Sequence, residues 1–560
     1  MTTKSPAGSI GLMRTMGALS LAMVACGILA AQTTSSNKTG SIRGVVRDVQ
    51  GAPIEGASVH LYVGPDRVET ETGPAGRYVL PDLPPQDYRV TAYVQMPLAS
   101  RKPVTVSPGQ DVAGVDFELQ LPPRIEGRVL DENGEPVPEA SIFLVGTEYQ
   151  HSRLRHTFRF RAMSNDQGEY VLDRFVQPGV RYAILAKVGD LKLTAISDIP
   201  VDPKMRRAAF IPTYYSRSAS IDGAERVALR SGEIREGVDI RLLRSSSYCV
   251  EGVLRLGGRP AETEFRVEEQ EVLFGLNGNG GFYGVVPTGR TGPDGRMRIC
   301  GLHPGAYKIT ASSPSNTSGE FFFGTAIVAV TDEDVRGVSV PTSPVLPVSG
   351  EIVWEGTAPD EPEESEVTIL VRSLYRAVWS AEMESRSVKA SIPGEFAFPS
   401  LLMDDYEIRV SGLPAHTYLK DVVYAGASIL HDALRLGSAI GDARLRIIVA
   451  HDAAKVQAGV RDADGSPVAR AHVFLMPAVA ISEGLLAATV ITGEADDGGV
   501  YTSGALAPGK YYVVASRSGS PDLGAPENVG KLWRARATAT ELVLAPNMTA
   551  QVTLRPTSLH

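Results

Sequence analysis

At 560 residues, the chain is too long for a single hydrophobic core and predicts about four or five domains. Hydrophobic residues make up 43% and charged residues 21%, which indicates a globular protein, and the 56 Gly and 38 Pro favour many turns over long helices. The net charge of -9 is spread thinly along the chain, so electrostatics gives no reason to expect a nucleic-acid partner.

The first 31 residues have the pattern of an export signal. Lys4 and Arg14 precede an apolar run at residues 16–31, which is too short to span a bilayer comfortably and ends in small residues. We expect cleavage near residues 30–32 and a secreted, periplasmic or envelope-associated protein. Two alternatives stay open, a lipid attached to Cys26 and a retained anchor. No later stretch is long and apolar enough to predict a membrane helix.

A short strand that carries a glycine recurs five times along the chain. The copies are SIRGVVRD at 41, RIEGRVLD at 124, YCVEGVLR at 248, LPVSGEIVW at 346 and KVQAGVRD at 455. In three copies an Asp follows, then a tight turn that contains Gly51, Gly134 or Gly465 and a proline two residues later. The next strand alternates in polarity, and its predicted buried residues are Ala57, Val59, Leu61, Ala140, Ile142, Leu144, Ala471, Val473 and Leu475.

A second signature ends each copy with a glycine and a later tyrosine. Twelve residues separate the two in four copies and fourteen in the second copy, where the intervening loop is two residues longer. The pairs are Gly76 and Tyr88, Gly168 and Tyr182, Gly295 and Tyr307, Gly394 and Tyr406, and Gly499 and Tyr511. The pattern predicts a strand, a turn and a strand, with the tyrosine ring over the end of a sandwich and its hydroxyl bonded to the backbone.

Turns at regular spacing and about seven short strands per copy predict an all-β fold. We expect a tandem array of about five antiparallel Ig-like β-sandwich modules after the signal peptide. The predicted modules 1 to 5 span residues 38–120, 121–244, 245–343, 344–450 and 451–560.

The two signatures together resemble the carboxypeptidase regulatory-like domain. In module 1 they read GVVRDVQGAPIEGASVHL and TGPAGRYVLPDLPPQDYRVTA. Residues 41–119 and 451–515 are closely similar to the family, module 2 is similar with insertions, and modules 3 and 4 are degenerate. The resemblance implies a transthyretin-like sandwich, related to starch-binding folds, that is not itself catalytic and occurs in many bacterial envelope proteins. It implies no ligand, because one fold hosts many functions.

The sequence contains no catalytic or metal-binding motif that we recognise. None of the nine histidines forms an HExxH motif or the HxxE pair of metallocarboxypeptidases. The acidic segments DENG at 131 and DADG at 462 could suggest calcium, but DADG lacks the closing glutamate of a twelve-residue calcium loop. We interpret them as turns and expect no enzymatic activity, cofactor or metal.

The segments that do not repeat are the candidates for binding. Residues 151–162, HSRLRHTFRFRA, would in an extended conformation place four arginines on one face. This strip suits an acidic glycan or a phosphate-bearing surface, and a solvated hairpin face is the alternative; its members are Arg153, Arg155, Arg159 and Arg161. Four aromatic residues could stack on sugars or belong to cores, namely Tyr214, Tyr215, Trp379 and Trp533.

Cys249 and Cys300 both lie in module 3. In an oxidising compartment they could form a disulfide, and two buried thiols are the alternative, because spacing in sequence does not set the distance between β-carbons.

The sequence therefore predicts an exported, non-catalytic protein that acts in adhesion, scaffolding or protein interaction at the bacterial cell envelope. Carbohydrate binding is the first alternative, and an accessory role beside a separately encoded peptidase or transporter is the second. The expected partner is a protein or a polysaccharide at the cell surface, and nucleic acid is not expected.

Overall fold

The computed structural model describes residues 38–95, 98–150, 152–188, 209–269, 288–313, 322–356, 366–374, 385–402, 404–436, 443–517 and 522–559. The predicted signal peptide with Cys26 lies outside the described residues, and so does Trp379. Nearly all regular structure in the described part of the chain is β-strand, which confirms the all-β prediction. No helix in these ranges is long and apolar enough to cross a membrane.

Modules 1 and 2 contain nineteen of the strands in the described ranges. Those of module 1 are β1 Gly40–Asp48, β2 Ser58–Val63, β3 Asp66–Glu71, β4 Arg77–Leu83, β5 Gln86–Gln95, β6 Leu98–Val106, β7 Asp111–Val112 and β8 Phe117–Leu119. Those of module 2 are β9 Arg124–Leu130, β10 Ser141–Gln150, β11 Arg153–Met163, β12 Glu169–Leu172, β13 Arg181–Lys187, β14 Ala209–Phe210, β15 Thr213–Tyr214, β16 Val227–Ala228, β17 Ile234–Arg235, β18 Ile240–Arg241 and β19 Arg244–Ser245.

Modules 3 and 4 are built from strands alone in the described ranges. Those of module 3 are β20 Tyr248–Leu256, β21 Arg259–Pro260, β22 Glu264–Glu269, β23 Thr288–Arg290, β24 Arg296–Leu302, β25 Gly305–Ser312, β26 Phe322–Val330, β27 Val335–Pro341 and β28 Ser343–Pro344. Those of module 4 are β29 Leu346–Trp354, β30 Glu366–Ser373, β31 Ser385–Ser391, β32 Gly394–Leu401, β33 Asp405–Ser411, β34 Tyr418–Tyr424, β35 Ala427–Ser428, β36 Leu434–Arg435 and β37 Leu445–Ala450.

Module 5 adds two α-helices to the strands. Its elements are β38 Lys455–Val460, β39 His472–Pro477, α1 Glu483–Thr489, β40 Ile491–Glu494, β41 Val500–Thr502, β42 Gly509–Ser516, α2 Pro526–Ala535, a short 3-10 helix Arg536–Thr538, β43 Thr540–Leu544 and β44 Thr549–Leu554.

The modules share one topology. The first strand of each lies inside one sheet, antiparallel to the strand after the glycine turn and parallel to a closing strand, as β1 does between β4 and β8. The second strand lies in the facing sheet, which in module 1 has the order β3-β2-β5-β6. The predicted antiparallel sandwich is confirmed except that the closing strand runs parallel to the first. The module boundaries remain a prediction.

A separate hydrophobic core lies between the two sheets of each module in the described ranges. In module 1, Ile42 and Val46 of one sheet meet Val59 and Leu61 of the other. All nine residues that the period of two predicted to be buried are buried, because alternate side chains of a strand point to one face.

The repeated acidic, glycine and proline segment is a turn. The Asp48 carboxylate accepts the N–H groups of Gln50 at 2.9 Å and Ala52 at 2.8 Å. Gly51 has a φ of 90°, which favours glycine, and its N–H donates to the Asp48 carbonyl. The local backbone therefore occupies this carboxylate, as it also does at Asp131.

The signature tyrosines are buried in the five cores. Each hydroxyl donates to a nearby backbone carbonyl, at distances of 2.6 Å for Tyr88, 3.3 Å for Tyr182, 2.9 Å for Tyr307, 3.1 Å for Tyr406 and 2.8 Å for Tyr511. The acceptor lies four residues earlier in four modules and seven earlier in module 2, where the loop is longer. The predicted backbone partner of this tyrosine is confirmed in all five.

Modules 2 and 5 carry a second core on the outward face of the sheet that contains the second strand. In module 2, Phe143 and Val145 pack there with Tyr214 and Ile221 from the segment after β13. In module 5 the corresponding face is covered by α1 and α2, and the core residues are Phe474, Met476, Ala480, Leu486, Val514, Val529 and Leu532. Inserted segments therefore cover an outward sheet face in both modules.

Module 4 contains a buried carboxylate, Asp404, between β32 and β33. It accepts the Ser373 hydroxyl at 2.6 Å and the Asp405 N–H at 2.9 Å. Burial raises the pKa of Asp404 from 3.8 to about 6, and Lys308 of module 3 partly opposes this rise. The folded state therefore favours the protonated form.

We expect this group to make module 4 less stable at pH 7 than at pH 4. The contribution of protonated Asp404 to the free energy of unfolding is present below the unfolded pKa and is lost as the pH rises through about 6. The upper limit of this contribution is about 3 kcal/mol. Asp404→Asn cannot ionise and should show a smaller loss of stability between these pH values. Urea unfolding of both proteins, monitored by hydrogen exchange in the peptides of module 4, measures this difference. Equal dependence of stability on pH in the two proteins would contradict the prediction.

Candidate functional site

The arginine-rich segment forms one strand of a long hairpin, β10–β11. A β-bulge interrupts the pairing of the two strands at Arg159. Arg161 lies opposite Phe143 and faces outward, whereas Arg153 and Arg155 face the other side of the sheet. The four arginines do not share one face as the uninterrupted period of two predicted, because one extra residue at the bulge reverses the alternation.

Three of these arginines have partners within the chain. Arg161 donates to the Ser141 hydroxyl at 2.7 Å and lies over the Phe143 ring, 5.8 Å from its centroid. Arg159 pairs with Glu148 at 2.7 Å, and Arg153 pairs with Asp432 of module 4 at 3.2 Å. Arg155 is half-buried. Binding of an anionic ligand by this segment stays a prediction.

The tip of the hairpin docks on the helices of module 5. The Tyr149 N–H donates to the Gly524 carbonyl at 2.8 Å, and the Tyr149 ring packs against the second core of module 5. Its hydroxyl lies 3.4 Å from a carboxylate oxygen of Glu483 in α1. Burial, followed by the negative charge of Glu483, raises the pKa of Tyr149. The tyrosine is therefore held as a neutral contact between the two modules.

The same tip also reaches module 4. The Ser152 hydroxyl lies 3.5 Å from the His431 carbonyl, next to the ion pair of Arg153 with Asp432. Burial opposes ionisation of Asp432, but the Ala433 N–H, Arg435 and Arg153 lower its pKa below the usual value. One hairpin thus contacts two other modules that lie about 280 to 330 residues away in sequence.

Gly484 in α1 is the closest point of this contact. A Cβ atom at this position would lie 2.1 Å from the Ser152 carbonyl oxygen, so a side chain cannot be accommodated without moving the hairpin. We expect Gly484→Ala to expose the hairpin tip and to increase tryptic cleavage after Arg153 or Arg155 severalfold, although alanine itself favours a helix.

Gly530→Ala in α2 is the matched control for this experiment. A Cβ atom there would meet only the ends of the Arg534 and Glu483 side chains, at 3.4 Å and beyond. Limited trypsin digestion of the three proteins measures the effect, and equal cleavage of both variants would contradict the docking role of Gly484.

The predicted sugar-stacking aromatics lie in different environments. Tyr214 is 2% exposed in the second core of module 2, so neither ring face is available to a sugar. Tyr215 is half-buried against the main core of that module. Trp533 in α2 is half-buried, and the Arg536 guanidinium covers it at 4.5 Å from the ring centroid. Tyr214 is thereby removed from the predicted set, because its side chain serves packing.

Cys249 and Cys300 form a disulfide in the structure. They lie directly opposite each other on β20 and β24, neighbouring strands of one sheet. Of the two alternatives left open by the sequence, a disulfide or two buried thiols, the structure contains the disulfide.

An exposed aromatic cluster on module 1 was not among the predicted sites. His60 and Tyr62 point outward from β2, with Tyr93 of β5 beside them. The His60 ring lies 5.8 Å from Tyr62 and 5.7 Å from Tyr93, and burial, then Arg67, lowers its pKa. The outward positions of His60 and Tyr62 follow from the alternation in β2, but only the tertiary structure shows that Tyr62 is exposed while His60 and Tyr93 are half-buried. In these described ranges there is also no group of three or more His, Cys, Asp or Glu that could hold a metal.

Comparison with known proteins identifies one domain. Residues 41–120 match the carboxypeptidase regulatory-like domain. No curated protein matches the sequence.

Several solved structures show remote similarity. The Bacillus anthracis TIE protein is 14% identical, with 54% of this chain and 51% of that chain covered and a TM-score of 0.15. The Streptococcal ancillary pilin is 11% identical over 58% of this chain and 98% of its own, with a TM-score of 0.19. The full-length major pilin RrgB from Streptococcus pneumoniae is 7% identical over 94% of this chain and 100% of its own, with a TM-score of 0.16. These values are too low to inform the function of this chain. The resemblance seen in the sequence is confirmed for module 1: the chain carries a carboxypeptidase regulatory-like domain at residues 41–120.

Proposed function

We propose that this protein is an exported, non-catalytic scaffold of β-sandwich modules that acts in adhesion or protein interaction at the bacterial cell envelope. Its partner is a protein or a polysaccharide at the cell surface. The observation that carries the proposal is the hairpin β10–β11, whose tip joins module 2 to modules 4 and 5.

The hairpin supports a scaffold role because it fixes the relative positions of modules that are distant in sequence. A string of sandwiches joined only end to end would flex at each junction. Contacts of Tyr149 with α1 and of Arg153 with module 4 restrict that motion. A restricted frame presents its outer surfaces in a defined arrangement, which favours multivalent attachment.

The disulfide between Cys249 and Cys300 supports export. Structural disulfides persist in oxidising compartments and are rare in the bacterial cytosol. This support is independent of the predicted signal peptide.

Cell fractionation combined with protease shaving tests the proposal. We expect the full-length chain, produced in a bacterium, to be recovered outside the cytoplasm, and its surface fraction to be degraded when intact cells are treated with protease. A cytoplasmic marker protein is the control. Recovery of the folded chain in the cytoplasm alone would contradict the proposed function.

A further inference from the structure

The outward face of the second-strand sheet is used differently in different modules. The residues that correspond to His60 and Tyr62 are Phe143 and Val145 in module 2, and both are buried under the segment that carries Tyr214. In module 5 the corresponding pair is Phe474 and Met476, buried under α1 and α2. In both modules the chain covers this face with its own inserted segment.

Module 1 keeps the same face open. Tyr62 is 55% exposed at the position where the other two modules have a buried apolar residue. Tyr62 belongs to a contiguous group of rings with His60 and Tyr93, and contiguous patches of this kind mark interaction surfaces. No inserted segment in the described part of the chain covers Tyr62.

The rings on this face are held in fixed positions. His60 lies edge-on to both Tyr62 and Tyr93, with interplanar angles of 89° and 80°. Arg67 donates to the Tyr93 hydroxyl at 2.9 Å and pairs with Glu69 at 2.7 Å. The network leaves little side-chain entropy to be lost when a ligand binds.

Two cations border the rings. Arg89 on β5 and Arg101 on β6 are exposed diagonal neighbours on the same face, and Arg101 lies opposite Thr91, which in turn lies opposite His60. Neither arginine has an ion-pair partner among the described residues.

Three carboxylates lie on the face: Glu71, opposite Ser58, is exposed, and the other two have partners within the module. Glu69 pairs with Arg67 and also accepts the Ser58 hydroxyl, and Asp87 accepts the Thr105 hydroxyl at 2.5 Å. Because the whole chain has a net charge of -9, attraction of a polyanion has to come from local cations such as this pair.

We propose that this surface, the tyrosine face of His60, Tyr62, Tyr93, Arg89 and Arg101, binds an acidic polysaccharide. A pyranose ring places its C–H groups against the exposed Tyr62 ring, and a sugar carboxylate accepts N–H groups from Arg89 and Arg101. Ser58 and Thr91 lie among the rings of the face, so it lacks the apolar centre of a stable protein interface. The proposal deepens the proposed adhesion role and rests on it.

Binding of the purified mature chain to polygalacturonate, with amylose as the neutral comparison, tests the tyrosine face. We expect saturable binding to polygalacturonate that weakens with salt, and no comparable binding to amylose. Tyr62→Ala should weaken binding about fivefold, and the double variant Arg89→Ala/Arg101→Ala about tenfold or more. Each altered residue lies on the exposed face of the sheet, so the fold is retained.

Arg77→Ala is the matched control, because Arg77 is an exposed arginine of module 1 on the other sheet. It should bind like the unaltered chain. The proposal would be overturned if the chain did not bind polygalacturonate or bound amylose equally well. It would also be overturned if Tyr62→Ala and Arg77→Ala lost the same amount of binding affinity, or if the face bound a protein and no polysaccharide. Cell fractionation does not depend on these binding results. A wrong ligand for the tyrosine face can therefore be distinguished from a wrong cellular location for the protein.

Discussion

Gly127→Ala is expected to destabilise module 2 by about 3 kcal/mol or more, which is a large effect for the addition of one methyl group. Gly127 lies in the middle of β9, and a Cβ atom there would be 2.0 Å from the Val238 carbonyl oxygen and 3.1 Å from the Tyr170 ring. The Tyr170 hydroxyl donates to that same carbonyl at 2.6 Å. The added methyl group would therefore push the Tyr170 ring away from the closing segment, which the tyrosine holds through the Val238 carbonyl.

The equivalent glycine of module 5 provides the control. A Cβ atom at Gly459 would meet no atom within 4 Å, neither a closing-strand carbonyl nor the Tyr501 ring, which lies over Gly493 instead. We expect Gly459→Ala to change stability by less than about 0.5 kcal/mol. Hydrogen exchange followed separately for peptides of modules 2 and 5 measures both variants, since a chain of several modules does not unfold in two states. Equal effects of the two substitutions would contradict this reading of Gly127.

Loss of the disulfide is expected to destabilise module 3 by about 4 kcal/mol, from the entropy of a closed loop with a sequence separation of 51. The bridge joins neighbouring strands β20 and β24, and Cys249 is buried. Reduction of the mature protein should therefore lower the denaturant midpoint for the peptides of module 3 and leave module 1 unchanged.

The double variant Cys249→Ala/Cys300→Ala separates this effect from other actions of the reductant. It should be as unstable as the reduced protein and should not respond to reductant. Titration of the unfolded, unreduced mature protein should find neither thiol reactive. Two reactive thiols from this pair would show that the bridge does not form.

The fold could be predicted from local patterns. Alternation at Val59 and Leu61 assigns these side chains to a buried face, and Gly51 marks the turn before them. The tyrosine spacing predicted a hydroxyl bonded to the backbone, and Tyr511 shows such a bond. Each of these features depends on residues that are close in sequence.

The arginine segment shows where such reasoning ends. Its period of two predicted a single arginine face, but the bulge at Arg159 reverses the alternation, and no residue type in the segment marks the bulge. The sequence left open whether Tyr214 stacks on a sugar or belongs to a core, and it is buried because the segment after β13 folds back over Phe143. A binding residue and a packing residue of the same type cannot be distinguished without knowing what covers them.

The sequence by itself determined the β-sandwich plan, the buried faces, the turns and the relation of module 1 to the carboxypeptidase regulatory-like domain. The tertiary structure alone decided that the hairpin tip at Tyr149 meets Glu483, 334 residues away, and that Tyr62 stays exposed. The physical reason is that backbone periodicity specifies which side of a strand a residue faces. Whether that side is open to solvent depends on segments that arrive from distant parts of the chain.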